Sequence, residues 1–354
     1  MTTPVKRLPA ADLDRILAQT RALWPDARGQ SFFFAGGTGF VGRWLLESFA
    51  HANDTLGLGL RATVLSRDPA AFAARAPHLG RRADIGYVRG DMRNFAFPPG
   101  RFDHLVDAAA DTDAWTRGRP SGDIVGTVTA TTRRMLDFAA AAGVRNFLLV
   151  SSGAVYGRQP PELARIDEEH PGRPDPDDPA AAWARGKRVA EELCLGPAAA
   201  TGLAVKLARA FTFVGPLLPL DAQFAVGNFI RDALAGGPIR VAGDGTPVRS
   251  YMYAGDLAAG LWTILFRGPA GRAYNIGSDE PIAIADLARL VAEVVRPGAE
   301  VAIAGRPVPG RRLERYVPAV DRIRRELGVA ATVPLRDSIR QTAAWFDNRS
   351  AANL

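Results

Sequence analysis

The chain has a single cysteine, Cys194, which excludes an intramolecular disulfide and suits a reducing compartment, so a cytoplasmic location is expected. It has no run of about 18 apolar residues, so no transmembrane helix and no membrane partner are expected. Its first residues are polar and Asp12 and Asp14 soon follow, which does not match a secretory leader. There is no internal repeat and no low-complexity linker. It also lacks a basic stripe. The net charge is +7, but the arginines are scattered, which argues against nucleic acid and for a small phosphate-bearing ligand. A plain bias toward Ala and Arg explains the charge equally well. No metal site is expected.

What is present is enough for a large α/β domain and a smaller one: 354 residues, 47% hydrophobic and 23% charged. The most informative stretch runs from Ser31 to Glu47. An apolar segment, Phe32 to Ala35, suits a buried parallel strand. Gly36, Gly39 and Gly42 follow in G-x-x-G-x-x-G spacing, and then a helical pattern with Val41, Leu45 and Phe49 on one face. Gly36 permits the turn out of the strand. Gly39 removes a Cβ where backbone must approach a pyrophosphate, and Gly42 lets helix and sheet approach closely. The helix N-terminus then offers free N–H groups to phosphates.

Further strands are predicted at 61–65, 85–88, 104–110, 146–150 and 205–210. Helices are predicted at 11–24, 70–76, 130–142, 181–195, 223–235, 255–266, 284–295 and 319–326. The early alternation of strand and helix implies a doubly wound parallel α/β sheet. Residues 158–180 hold six prolines and many acids, and read as a surface loop over the active site. The domains expected are a helical extension at 1–30, a dinucleotide-binding domain at 31–210, and a smaller α+β substrate lobe at 211–354, interleaved with it.

Several segments together resemble the extended short-chain dehydrogenases/reductases, in the NAD-dependent epimerase/dehydratase group that acts on nucleotide sugars. They are Gly36-Gly-Thr-Gly-Phe-Val-Gly42, Gly90-Asp91, the strand end Ala108 to Ala110, and Ser151-Ser-Gly-Ala-Val-Tyr-Gly157. Lys187, Arg209-Ala-Phe-Thr-Phe-Val-Gly-Pro216 and Gly243-Asp-Gly-Thr-Pro-Val-Arg-Ser-Tyr-Met-Tyr253 complete the set. The resemblance implies a Rossmann-type fold, an NAD or NADP cofactor, a nucleoside-diphosphate sugar as substrate, and a homodimer through helices 130–142 and 181–195. It implies cofactor contacts from Gly36, Thr38, Gly39, Phe40, Val41, Gly42, Ser66, Arg67, Asp91, Met92, Ala108, Ala109, Ala110, Lys187 and Phe211. Substrate contacts are implied for Asn228, Arg249, Arg311 and Arg312, arginine being suited to gripping phosphate oxygens in pairs.

The family's chemistry uses a Ser or Thr, here Ser152, and a Tyr-x-x-x-Lys pair whose lysine is here Lys187. The tyrosine position holds Trp183. An indole N–H donates a hydrogen bond but is no base near neutral pH. Three readings stay open: lost redox chemistry with binding retained, another group as base, or different chemistry with the cofactor structural. Tyr156, Asp111, Asp113 and Cys194 are candidate bases. Each has a plainer role, Tyr156 as a packed residue, the aspartates as a cap, and Cys194 as helix core. Gly153 and Ala154 stand where dehydratases of the family carry an acidic pair, which argues against a standard 4,6-dehydratase. Asp123 replaces the asparagine of the family's Asn-x-x-Gly-Thr segment. For the cofactor, Ser66 and Arg67 suit a 2′-phosphate, whereas Asp68 could reach a 2′-hydroxyl; the balance favours NADP. The enzyme expected is epimerase-like, the alternative being a catalytically silent dinucleotide- and nucleotide-sugar-binding protein.

Overall fold

A computed structural model describes residues 6–109, 120–196, 202–308, 310 and 312–347. The chain forms two compact units. The first comprises Met1–Gly157, Pro171–Ala210 and Ala258–Tyr274; the second comprises Arg158–His170, Phe211–Leu257 and Asn275–Leu354.

The first unit is built on β1 (Ser31–Ala35), β2 (Arg61–Ser66), β3 (Ile85–Arg89), β4 (His104–Asp107), β5 (Asn146–Ser152) and β6 (Ala204–Ala210); Ala273–Ile276, of which this unit holds Ala273 and Tyr274, is the seventh strand of the sheet. The spatial order is β3-β2-β1-β4-β5-β6 and then Ala273–Ile276. The ladders joining β1 through β6 are all parallel. This is the doubly wound Rossmann-type order, and the sheet reverses its direction of growth between β1 and β4. Helices α1 (Ala10–Thr20), α2 (Phe40–Leu56), α3 (Pro69–Arg75), α4 (Pro77–Gly80), α5 (Ser121–Ala141) and α6 (Ala182–Leu195) accompany it.

Alternation along β1 divides its side chains between two cores. Phe33 joins Leu105, Phe138, Phe147 and Leu207 on one face. Phe32 and Phe34 turn to the other, against Phe49 and Trp262. Each fully buried phenylalanine contributes roughly 1.5–3 kcal/mol relative to exposure. Two buried indoles have their N–H groups paired: Trp24 donates to Thr20 Oγ1 at 3.0 Å and Trp262 to Ser48 Oγ at 2.9 Å.

The N-terminal extension is tied to α2 through one buried carboxylate. Glu47 accepts from the Leu8 N–H at 2.7 Å and from Arg43 Nη2 at 2.8 Å, and meets His78 Nε2 at 3.0 Å. Burial pushes the Glu47 carboxyl up, but the bonds from His78 and Leu8 and the Arg43 charge outweigh it, and the net direction is down. A carboxyl depressed by folding stabilises the fold above its unfolded value, and that contribution is lost as pH falls through the folded value. Glu47→Gln is therefore expected to cost about 3 kcal/mol at pH 7, measured by denaturant unfolding. The gap from wild type should narrow below about pH 4, where the wild-type carboxyl protonates in the unfolded chain.

Three predicted boundaries move. The strand expected over 104–110 ends at Asp107, because the Asp107 carboxylate accepts from the Ala109 N–H at 3.0 Å and turns the chain out of the ladder. Helix α5 starts at Ser121 instead of 130. Its first half holds Gly122, Gly126 and several threonines, whose low helix propensity hid the start. The threonine hydroxyls of Thr129 and Thr132 bond back to Val125 and Val128 carbonyls. The helix expected over 11–24 ends at Thr20 and continues as short 3₁₀ turns.

The second unit contains α7 (Ala225–Ala235), the start of α8 (Ala254–Arg267), α9 (Ile284–Val295), α10 (Asp321–Leu327) and α11 (Leu335–Phe346), with small two- and three-stranded sheets. Helix α11 had no counterpart in the sequence reading. Its buried side includes Ser338 and Thr342 beside Ile339 and Ala343, so its apolar stripe is faint. The loop expected over 158–180 is irregular, but its first half is not all surface. Gln159 and Ile166 are buried in the second unit, where Ile166 bridges Pro318 and Gln159 Oε1 accepts from the Val317 N–H.

Candidate functional site

The crevice at a sheet reversal is where open α/β sheets bind ligands. Here it opens at the ends of β1 and β4, paired as Ala35 with Asp107. Gly36 turns the chain with φ +76°, and a Cβ on it would sit 2.4 Å from the Ala109 nitrogen. Ala108 and Ala109 therefore form a wall against the glycine turn. A Cβ on Gly42 would sit 2.1 Å from the Gly36 carbonyl oxygen, so only glycine lets α2 start this close to the strand. Gly39 differs: it is exposed, extended, and has only the Gly36 oxygen at 3.4 Å from its would-be Cβ. It is the N-cap of α2 and has no side-chain cap, so the amides of Phe40 and Val41 face no capping group of the chain. Thr38 lies in the same loop, half-buried.

Ser66 closes β2 and is buried, and Arg67 beside it is exposed. Asp68 caps α3, accepting from the Ala71 N–H at 3.0 Å. At the end of the neighbouring strand, Asp91 is gripped by Arg93, with Nε at 2.8 Å and Nη2 at 2.9 Å. Those bonds, helped by the Arg67 charge, hold the Asp91 carboxyl down at about 2. Met92 packs against the sheet's core.

Strands β5 and β6 and helix α6 bring the chemical candidates together. Lys187 is buried and its Nζ donates to Val150 O at 3.0 Å and Ala109 O at 3.3 Å. Burial pushes its amine down, against the charges of Asp107 and Glu191. Ser152 Oγ accepts from the Ala154 N–H at 3.1 Å. Trp183 stands one turn before Lys187 on α6, and Lys187 Nζ is 5.8 Å from its ring centroid. Behind them is a network the sequence reading did not single out. Ser151 Oγ donates to Glu191 Oε1 at 2.6 Å, and Arg209 Nη2 donates to Glu191 Oε2 at 2.7 Å. Arg209 Nη1 donates to the Tyr156 hydroxyl at 2.9 Å. Glu191 one turn after Lys187 was the available signal.

Two candidate bases are thereby described as packing groups. Tyr156 is 1% exposed and its oxygen is engaged by Arg209. Cys194 is buried, and burial pushes its thiol up to about 12, so it is no thiolate near neutral pH. Asp111, Asp113, Ala110 and Arg311 lie outside the described residues.

The remaining candidates belong to the second unit. Phe211 packs against the Tyr316 ring, with centroids 4.6 Å apart and the rings tilted by 32°. Asn228 lies in the first turns of α7, its Oδ1 accepting from Arg231 Nη1 at 3.1 Å. Arg249 donates to Val248 O and has Glu314 at 3.6 Å, and Arg312 is exposed. Among the described residues no cluster of His, Cys, Asp or Glu could hold a metal ion, and no helix is long and apolar enough to cross a membrane.

Residues 33–277 match the NAD dependent epimerase/dehydratase family. UDP-glucuronic acid decarboxylase 1 of Xenopus tropicalis is 32% identical over 220 residues, which are 62% of this chain and 51% of that protein, so the chain spans about half the length of this relative. The dTDP-glucose 4,6-dehydratase of Streptomyces griseus is 28% identical over 324 residues, 88% of this chain and 92% of that protein. Among solved structures, a dTDP-glucose 4,6-dehydratase from Streptomyces venezuelae with NAD and TYD bound aligns with a TM-score of 0.74 and 25% identity, covering 91% of this chain and 98% of that one. An epimerase from Methanothermobacter thermautotrophicus aligns with a TM-score of 0.75 and 23% identity, covering 95% and 96%.

Proposed function

The chain belongs to the NAD-dependent epimerase/dehydratase family, and from that premise we propose that it binds a nicotinamide dinucleotide at the β1–β4 crevice and acts on a nucleoside-diphosphate sugar. The observation that carries the proposal is Lys187. It is buried yet held by two carbonyls at the ends of β4 and β5, with Ala109 wedged between it and the Gly36 turn. A cation fixed there suits a ribose hydroxyl and the polarised oxygen of a reacting sugar carbon. The uncapped start of α2 suits a pyrophosphate. When bound, the nicotinamide supplies a hydride acceptor. Ser152 would then orient the sugar oxygen; Asn228, Arg249, Arg311 and Arg312 of the second unit are the residues we propose for the diphosphate, as the family resemblance implies.

We favour NADP over NAD. Arg67 is exposed beside Ser66, Asp68 is engaged as a helix cap, and Asp91 is neutralised by Arg93. A 2′-phosphate at the end of β2 would find the exposed Arg67 guanidinium, with the Asp68 and Asp91 carboxylates already engaged.

Gly39→Ala separates fold from ligand. Its backbone is extended and its surroundings are open, so unfolding free energy should change by less than about 1 kcal/mol. Dinucleotide affinity, measured by calorimetry, should fall at least about tenfold, since a Cβ would stand where the pyrophosphate approaches. Equal losses of stability and affinity would refute this division.

Trp183 favours a second reading, a binding protein without turnover, because it cannot accept the hydroxyl proton. Mass spectrometry of small molecules released from the freshly purified, denatured protein tests both. Retained NADP or NAD, and turnover in a screen of UDP-, GDP-, CDP-, ADP- and dTDP-sugars that Ser152→Ala abolishes, is the outcome expected of the enzyme. Binding without product from any sugar leaves the silent protein. A chain that neither retains nor takes up a dinucleotide overturns both.

A further inference from the structure

Asp107 is the one acid in β4, a buried strand that otherwise reads His104-Leu-Val, and none of the roles above uses it. It is 4% exposed. Its Oδ1 accepts from the Ala109 N–H at 3.0 Å, while the carbonyl of the same Ala109 accepts from Lys187 Nζ at 3.3 Å. Ala109 is thus held from two sides, by the carboxylate through its nitrogen and by the ammonium through its oxygen. Its nitrogen is also the atom on which the Gly36 turn closes. We propose that Asp107 is a positioning residue for Lys187: it fixes the Ala109 peptide whose carbonyl receives the amine. The consequence for cofactor binding rests on the function proposed above; the pairing itself does not.

The other charges around Lys187 are already matched. Among the described residues, the titratable groups acting on it are Asp107 from β4, and Glu191 and Cys194 from its own helix. Glu191 receives Arg209, from β6, and the Ser151 hydroxyl, from β5. Cys194 is a neutral thiol at ordinary pH. Asp107 remains as the anion answering Lys187. Burial drives the amine toward its neutral form and the carboxyl toward its acid form, and each charge opposes the other's shift. Arg209 and Glu191 meet directly at 2.7 Å, whereas Lys187 and Asp107 are linked through the Ala109 peptide and act on each other through space. Losing one anion leaves a buried ammonium unpaired, and the group then gives up its proton more readily.

The chain has only three lysines, Lys6, Lys187 and Lys206, so lysine-selective isotope labelling gives a readable NMR spectrum of the intact protein. Lys187→Arg assigns the Lys187 signal. Asp107→Asn keeps an oxygen able to accept from the Ala109 N–H and removes the charge. The titration midpoint of Lys187 is expected to fall by at least about one pH unit in that variant. An unmoved midpoint overturns the proposal. Should Asp107→Asn fail to fold, Lys187→Met reads the same pair from the other side. In aspartate-labelled protein the Asp107 midpoint must then rise, and an unchanged midpoint is equally fatal. Dinucleotide affinity adds the functional readout. Asp107→Asn should bind within about threefold of wild type at pH 6 and at least about tenfold more weakly at pH 9. A purely structural role would weaken binding alike at both. If wild-type protein binds no dinucleotide at any pH, the proposed function fails while the lysine titration still decides the pairing.

Discussion

Glu191→Ala is expected to remove about 3–5 kcal/mol of stability, the largest single loss anticipated in the first unit. The carboxylate is 2% exposed and receives Arg209 and the Ser151 hydroxyl together. Removing it strands a guanidinium whose side chain is 9% exposed. Arginine keeps its proton under any ordinary condition, so the site cannot relax by neutralising. The Tyr156 hydroxyl, which Arg209 also engages, is a neutral group and does not replace the lost charge. The measurement is denaturant unfolding at pH 7, with Glu191→Gln as an intermediate and Glu191→Leu combined with Arg209→Met as the control. The double variant removes both charges and should recover most of the loss, because replacing a buried pair by apolar groups is often nearly neutral. A loss under about 1 kcal/mol in Glu191→Ala would mean that water reaches Arg209, and that the network is not what fixes β5, β6 and α6 to one another.

The signals that were legible in the sequence are those set by local rules. Phe32 to Ala35 followed by Gly36 and Gly42 specified a strand, a turn and a close-packed helix, because steric exclusion at both glycines depends on neighbours in sequence. Most strands and helices followed from periodicity in the same way. What was hidden depends on partners distant in sequence. Glu191 is engaged by residues at 151 and 209, which no spacing rule brings together. Asp107 looked like one more strand residue until the turn at Ala109 put its carboxylate on the amide of the peptide whose carbonyl receives Lys187. Helix α11 and the start of α5 were obscured because threonine, serine and glycine occupy positions where packing, not propensity, decides the outcome. The arm from Arg158 to His170 was read as surface because its prolines and acids are turn and solvent residues. Its fixation comes from Gln159, Ile166 and Glu168, each meeting strand-edge groups more than a hundred residues away.

Trp183→Tyr is expected to raise hydride transfer to the bound dinucleotide by about 10²–10⁴-fold, the gain that a positioned base contributes. Trp183 and Lys187 lie one helical turn apart on α6, and Lys187 Nζ is already 5.8 Å from the indole centroid. A phenol in that place has an ordinary pKa near 10, and a neighbouring ammonium lowers it toward the working range. The exchange also shrinks the side chain. Trp183 is half-buried and packs beside Ile124, Ala182 and Val125, so a stability cost of about 1–2 kcal/mol is anticipated, which the fold should tolerate. The assay follows reduced-nicotinamide absorbance and product formation with whichever sugar nucleotide the wild-type protein retains. Its pH dependence carries the sign of the argument: a phenol acting as base gives a rate that climbs with pH until the phenol has titrated, whereas the tryptophan protein has no such limb. Ser152→Ala in the tyrosine background should remove the gain. If cofactor and sugar both bind to the tyrosine variant and the rate does not rise, then the loss of the phenol is not what limits the site. Lys187 and Ser152 would then be serving a reaction in which no hydroxyl proton needs to leave, and the hydride-transfer reading would fall with it.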